Sequence, residues 1–331
     1  MILFWLPPWR GRLRKPPAKV LIVRPDRRVG NQIITSALVV ALAENLPQTD
    51  VHYLAPEGKI DLIKGLPGVT KVYALPRHPW RHFFALWHLV RSLRRERFDV
   101  AIDASHWHSF SLTAALLTRC CGASWTIGHR RPGSVGLLDQ WVSTPDDGDW
   151  PSEVQTKLRL LEPLDVVVRS PQMALPPMVS SDQATRWWSE HTQRPHRVVL
   201  WPTTRKSTTE IPVGMWPSVL QGLPLPKDAS IAVGWGPGEE LLAKQLVGAL
   251  DGEGFDAVAL PPTTISELGA FMAQADVVVS GDTGPLHLAG AVADQVYGVF
   301  RRADGRRWLP PGDRHRGYVL SDLGVLEEMQ R

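Results

Sequence analysis

The chain has 331 residues, 44% apolar and 21% charged, with a net charge of +4. That balance excludes a disordered chain, and the length exceeds the roughly 250–300 residues one core fills, so two domains are expected. Its two cysteines, Cys120 and Cys121, are adjacent in sequence, which excludes a disulfide framework and points to buried thiols in a reducing, cytoplasmic compartment.

Residues 1–18 read as a basic and apolar extension. The run Met1 to Leu6 is far shorter than the ~20 residues a membrane span needs. Arg10, Arg12, Arg14 and Lys15 follow the apolar run instead of preceding it, so no export signal is expected. Lys19 to Arg24 is a short apolar run, read as a buried parallel strand, followed by a loop from Pro25 to Asn31. Gln32 to Leu46 carries a helical stripe of Ile33, Ile34, Ala37, Leu38, Ala41 and Leu42. Strands are expected at 50–54 and 70–74. From Pro79 to Phe98, Trp80, Phe83, Phe84, Trp87, Val90 and Leu93 alternate with Arg81, Arg91, Arg94, Arg95 and Arg97. This is a helix over 80–97, either packed on a domain with a solvated basic side or lying on an anionic membrane surface. Nucleic acid would require a reader motif, and none is present. Phe98 to Asp103 is a strand, Ser109 to Arg119 a helix and Ser124 to Gly128 a strand.

From Arg130 to Pro177 the pattern loosens, with one helix near 152–161. Alternation then resumes, with strands expected at 197–201, 230–234, 257–260, 276–280 and 295–300. Helices are expected at 212–221, 238–250, 265–274 and 285–292. Strands alternating with helices of this length imply βαβ units. The fold class expected is α/β of GT-B type: two doubly wound, parallel-sheet, Rossmann-like domains facing across a cleft, over 19–178 and 179–331.

The chemistry concentrates at Ser280 to His287. A buried strand ends at Ser280, glycines 281 and 284 let the backbone approach a ligand, and Pro285 suits a first helical position. Free N–H groups and the positive dipole end of the helix make an anion site, suited to phosphate. Asp146, Asp147 and Asp149 crowd one short stretch of a Pro-rich connector but lack calcium-loop spacing and read as a solvated turn. No nucleophile-elbow sequence is present.

The string Gly281-Asp282-Thr283-Gly284-Pro285-Leu286-His287-Leu288-Ala289 resembles the signature of family 9 glycosyltransferases, the heptosyltransferases of lipopolysaccharide synthesis. The resemblance extends over nearly the whole chain. It includes Val20 to Arg24 with Arg28-Val29-Gly30-Asn31, Ala101-Ile102-Asp103 with Gly122-Ala123 and Ile127-Gly128, and Trp201-Pro202-Thr203-Thr204-Arg205 with Trp216. Val299-Phe300 with Asp304, Arg306-Arg307-Trp308 and Gly312 completes it. It implies a metal-independent, inverting glycosyltransferase that uses no cofactor and takes a nucleotide-sugar donor, typically ADP-heptose, in the C-terminal domain. A lipopolysaccharide-core or other lipid-linked saccharide is the implied acceptor. Asp282, Thr283 and Gly284 match the motif that grips the pyrophosphate and sugar, with His287 on the buried side of the helix start. Thr203 and Thr204 would add hydroxyl contacts to phosphate, and Glu239 sits where the family places an acid on the ribose hydroxyls.

Two departures stand out. The family has Gly-Asp where this chain has Gly30-Asn31, and that aspartate is the proposed general base. Asparagine cannot take a proton at neutral pH, and Asp26 in the same loop is the nearest carboxylate to replace it. The family also places a lysine shortly before Pro212, where Thr209-Glu210-Ile211 stand here, leaving Arg205 or Lys206 to reach the leaving phosphate. A nucleotide-sugar-binding protein with weak or lost transferase activity is the alternative reading, and an epimerase-like GT-B enzyme a third. The expected location is cytoplasmic, with peripheral contact on the inner face of the membrane as the finer version.

Overall fold

Val20 to Val23 carry only apolar side chains and are fully buried, as a strand covered on both faces requires. This run lies inside the first of two units, Met1–Pro177 and Met178–Arg331. The computed structural model describes residues 15–79, 81–131, 136–143, 151–177, 181–192, 194–204 and 207–324.

The first unit contains β1 (Lys19–Val23), β2 (Asp50–Pro56), β3 (Val69–Leu75), β4 (Val100–Asp103), β5 (Trp125–His129) and β6 (Gln140–Val142). They form one sheet in the order β3-β2-β1-β4-β5-β6, parallel throughout. Its helices are α1 (Val29–Asn45), α2 (Phe83–Glu96), α3 (Leu112–Cys120) and α4 (Glu153–Leu158). Chain order reverses between β1 and β4, where Val23 lies opposite Asp103. Loops leaving the carboxyl ends of such neighbours diverge and open a crevice.

The second unit repeats the scheme. It holds α5 (Ser181–His191), β7 (His196–Trp201), α6 (Trp216–Gly222), β8 (Ala229–Val233), α7 (Glu240–Gly252), β9 (Asp256–Ala259) and α8 (Ile265–Ala273). Then come β10 (Val277–Ser280), α9 (Gly284–Val292), β11 (Val296–Phe300) and β12 (Arg316–Val319). The sheet runs β12-β11-β10-β7-β8-β9, again all parallel, and its reversal falls between β7 and β10, where Trp201 lies opposite Ser280. Val198, Leu200, Val279 and the fully buried Trp216 form part of its core.

Several elements differ from the sequence expectation, each for a local reason. The loop after β1 ends three residues early, because α1 begins at Val29 and takes Gly30 and Asn31 into its first turn. The helix expected from Ser109 starts at Leu112, where the Ser111 hydroxyl accepts from the Ala114 N–H at 3.3 Å as an N-cap. The helix expected over 152–161 is α4 followed by a 3-10 turn, Arg159–Leu164, that contains Pro163. The helix expected over 212–221 splits into a 3-10 turn, Val213–Met215, and α6. Unforeseen elements are β6, too short to show alternation, β12, which reads as polar, and α5, whose narrow buried stripe is Ala184 and Trp188. In α2 the side facing the core is Leu86, Leu89 and Leu93, and Phe83, Phe84 and Trp87 face outward. Truncating the fully buried Leu93 to alanine would cost about 2–5 kcal/mol. Among the described residues no helix is long and apolar enough to cross a membrane.

Candidate active site

At the carboxyl end of the first sheet, a cavity of about 330 Å³ opens at the β1–β4 reversal. Arg24, Asp26, Arg27, Arg77, Ser105 and His106 contribute to its lining. The loop that carries Asp26 is clamped by Gln32, whose Nε2 donates to the carbonyls of Arg24 and Asp26 while its Oε1 accepts from the Tyr53 hydroxyl at 2.9 Å. Asp26 Oδ1 accepts from the Arg28 N–H at 2.7 Å, and its Oδ2 lies 3.9 Å from Arg24 Nη2. Burial opposes its charge, but the Arg24 guanidinium, the Arg28 N–H and the Asn31 amide outweigh that and hold the carboxyl below its ordinary pKa. Asn31 is itself buried. Its Nδ2 lies near enough to favour the Asp26 charge but meets hydrogen-bond geometry with none of the described residues.

Behind the cavity lies a buried charge network. Arg24 Nη1 donates to the Ala104 carbonyl at 2.7 Å, and Nη2 stands 2.9 Å from His106 Nε2. Arginine can only donate, so Nε2 accepts, and the imidazole proton sits on Nδ1, which donates to Glu153 Oε2 at 3.0 Å. Burial, opposed by Glu153 but helped by Arg24 and Lys157, pushes His106 down to about 3, so the ring is neutral. Glu153 stays charged despite burial because His106 donates to Oε2 and His108 Nδ1 lies 3.1 Å from Oε1, and it titrates below the ordinary range. Lys157, one helical turn along α4, donates to the Ala104 and Ser105 carbonyls at 2.7 and 3.3 Å, and burial lowers its pKa. Asp103 pairs with Arg131 at 3.1 Å and accepts from the Ser105 N–H at 2.9 Å. Ligand-type atoms of His106, His108 and Glu153 lie within 4.8 Å of one another. The carboxylate already serves both rings, and Arg24 and Lys157 are close enough to depress His106, so a divalent ion there would face two cations.

The second group of residues meets at the β7–β10 reversal. Thr203 and Thr204 follow β7, Glu239 closes the loop after β8, and Asp282 and Thr283 follow β10. Glu239 Oε2 accepts from the Thr203 hydroxyl at 2.7 Å and from the Gly236 N–H at 2.9 Å, and its Oε1 takes no hydrogen bond from the described residues. Gly281 sits against Thr204, whose Cγ2 would lie 3.1 Å from a Cβ added there, so the two loops touch because the residue is glycine. Thr283 is the N-cap of α9 but makes no side-chain cap, and Pro285 stands in the first turn. Asp282 is half-buried, and His287 is buried with its ring 6.1 Å from that of Trp308.

The structure thus brings Thr203 to Glu239 and Thr204 to Gly281, next to the α9 turn, and Asn31 to Asp26. Arg205 and Lys206 lie outside the described residues, as do Asp146, Asp147 and Asp149. The His106–Glu153–Lys157 network escaped sequence reasoning. Its one signal was the i, i+4 placement of Glu153 and Lys157 on a helix inside a Pro-rich connector.

Two parallel six-stranded sheets in tandem, each with functional-type residues at its reversal point, define a GT-B glycosyltransferase fold. The family model for glycosyltransferase family 9 (heptosyltransferase) matches residues 86–330, and the chain belongs to that family. It is a glycosyltransferase. Lipopolysaccharide heptosyltransferase 3 of Escherichia coli is 23% identical over 295 residues, covering 85% of this chain and 83% of that protein. A family 9 glycosyl transferase from Veillonella parvula DSM 2008 superposes with a TM-score of 0.74 at 13% identity, covering 95% of this chain and 89% of that one. E. coli heptosyltransferase WaaC with ADP gives 0.67 at 20% identity, with 94% and 98% covered.

Proposed function

We propose that the protein transfers a sugar, heptose from ADP-heptose, onto a hydroxyl of a lipopolysaccharide-core or related lipid-linked saccharide, with inversion at the anomeric carbon. The observation that carries this reading is the convergence of Thr203, Glu239 and the Asp282–Gly284 turn at one reversal point of the second sheet. A relative named for lipopolysaccharide heptosyl transfer and a related fold solved with ADP support it.

In this reading Glu239 accepts from the ribose hydroxyls through Oε1, its Oε2 being held by Thr203 and Gly236. The first-turn N–H groups of α9 receive the diphosphate, with Thr203 and Thr204 beside it, and His287 supports that turn from its buried side. A carboxylate repels a diphosphate, so Asp282 takes sugar hydroxyls instead. The acceptor oxygen bonds to the anomeric carbon as the bond from that carbon to the diphosphate oxygen breaks. Negative charge grows on the leaving oxygen, where the preorganised N–H groups stabilise it. Arg205 or Lys206 would add a cation there. The acceptor proton passes to Asp26, ionised at neutral pH, while the Asn31 amide, buried behind it, favours the carboxylate charge. His106 is not the base, because its Nε2 lone pair accepts from Arg24. No cofactor or metal is required in this scheme. The protein would act at the cytoplasmic face of the membrane that carries its acceptor, in peripheral contact with it.

Acceptor-dependent release of ADP from ADP-heptose, across a panel of core saccharides, tests the proposal. Tight binding with no release on any acceptor would favour the second reading, a nucleotide-sugar-binding protein with weak or lost activity, for which Asn31 in place of the family aspartate is the motive. Product formed from donor alone would indicate an epimerase-like reaction.

A further inference from the structure

Phe83, Phe84 and Trp87, at the start of α2, are 65%, 78% and 47% exposed. Leu86, Leu89 and Leu93 hold the helix to the core, so these aromatic rings are not needed for packing. At about 100° of rotation per residue, Phe84, Trp87, Arg91 and Arg95 share the outward face. The Arg91 guanidinium lies 5.4 Å from the centre of the Trp87 ring. From Pro76 to Arg95 there is no acidic residue, while Arg77, Arg81, Arg91, Arg94 and Arg95 supply positive charge. The first acid beyond, Glu96, is engaged by Lys19, Lys71 and Tyr73.

We infer that this face of α2 seats on an anionic lipid bilayer. Its aromatic rings lie at headgroup depth and its arginines on lipid phosphates. Bulky aromatic side chains at one end and a continuous cationic stripe at the other fit an interfacial helix, which gains from apolar burial and from a negative plane together. The segment leading into α2 also serves the first site: Pro76, Arg77 and Pro79 line the 330 Å³ cavity. A lipid-borne molecule would therefore meet the cavity next to the seat. That use rests on the acceptor reading above, but the seating itself does not.

Flotation of the full chain with vesicles tests this directly, using phosphatidylcholine alone and phosphatidylcholine with about one third phosphatidylglycerol. The protein is expected to float with the anionic vesicles, to stay down with the neutral ones, and to be partly released by high salt. Phe84→Ser with Trp87→Ser should lower partitioning at least about tenfold at an unchanged melting temperature, since both side chains are exposed. Arg91→Glu with Arg95→Glu should lower it similarly. Equal binding to both vesicle types, no binding of the native chain, or wild-type flotation of the aromatic double variant would each overturn the inference. No donor or acceptor enters the assay, so its failure leaves turnover on a soluble acceptor, and with it the proposed reaction, separately testable.

Discussion

Arg24 Nη2 lies 3.9 Å from Asp26 Oδ2, and the same guanidinium nitrogen is 2.9 Å from His106 Nε2. One buried cation thus keeps a carboxylate charged and occupies the lone pair of the neighbouring imidazole. The two groups that could take a proton in this cavity are thereby separated in role, because only Asp26 keeps oxygen lone pairs that face the opening. Asp26→Asn is expected to lower kcat by roughly 10²–10⁴, with donor affinity unchanged. Because Asp26 titrates below the ordinary carboxylate range, the acid limb of kcat/KM should also lie below about 4. Stopped turnover over a pH series measures both, and an acid limb near 6–7 would point to another base.

The two acids of the second unit should separate by ligand. Glu239 is tied to Thr203 and Gly236 on one oxygen, and its proposed contact is ribose, common to ADP and ADP-sugar. Glu239→Ala should weaken both by about tenfold to a hundredfold, the worth of hydrogen bonds to a charged group. Asp282→Ala should weaken ADP-sugar at least as much but leave ADP nearly untouched, since its proposed partners are on the sugar. Titration calorimetry with the two ligands distinguishes the cases, and equal losses for Asp282→Ala would move that residue to the nucleotide.

How much of this was legible in the sequence depended on how local the signal was. Val20 to Val23 and Val277 to Ser280 announce buried strands, because four consecutive residues are buried on both faces. Gln140–Val142 and Arg316–Val319 do not, being short and mixed in polarity at the sheet edges. Asn31 reads as part of the loop, since nothing in Arg28 marks the helix start, and Arg28 makes no side-chain cap. Asp282 and Glu239 stood out only through a family resemblance. Glu153 and His106 are 47 residues apart, and no local pattern links a carboxylate at the start of a short helix to an imidazole after a strand. Such a pair exists only once the fold has closed around it.

That pair carries a pH signature. Unfolded, His106 titrates near 6.5; folded, its value falls to about 3. Between those values the unfolded chain holds a proton that the folded chain does not. The contribution is therefore intact above pH 6.5 and is lost as pH falls toward 3, at about 1.4 kcal/mol per pH unit. Glu153, lowered from its ordinary 4.5, adds stability that is lost below that pH. His129, also depressed by burial, contributes in the same direction as His106. Denaturant melts from pH 6 to pH 4.5 should show the slope, and His106→Gln should reduce it by about one proton's worth. An unchanged slope in that variant would mean His106 is not the group responsible.

The thiols give the last test, one independent of any ligand. Cys121 is fully buried, its Sγ donates to the Thr118 carbonyl at 3.0 Å, and burial pushes its pKa up to about 12. Cys120 is 8% exposed, and burial, only partly offset by Arg94 and Arg119, raises its pKa as well. The reactive form is the thiolate, so both a high pKa and poor access slow attack on a disulfide reagent. In the native protein both thiols should react with Ellman's reagent at least about a hundredfold more slowly than glutathione, through local opening of the fold, and both should react promptly in denaturant. Rapid modification of one native thiol would show that the α3 end opens far more readily than its packing allows.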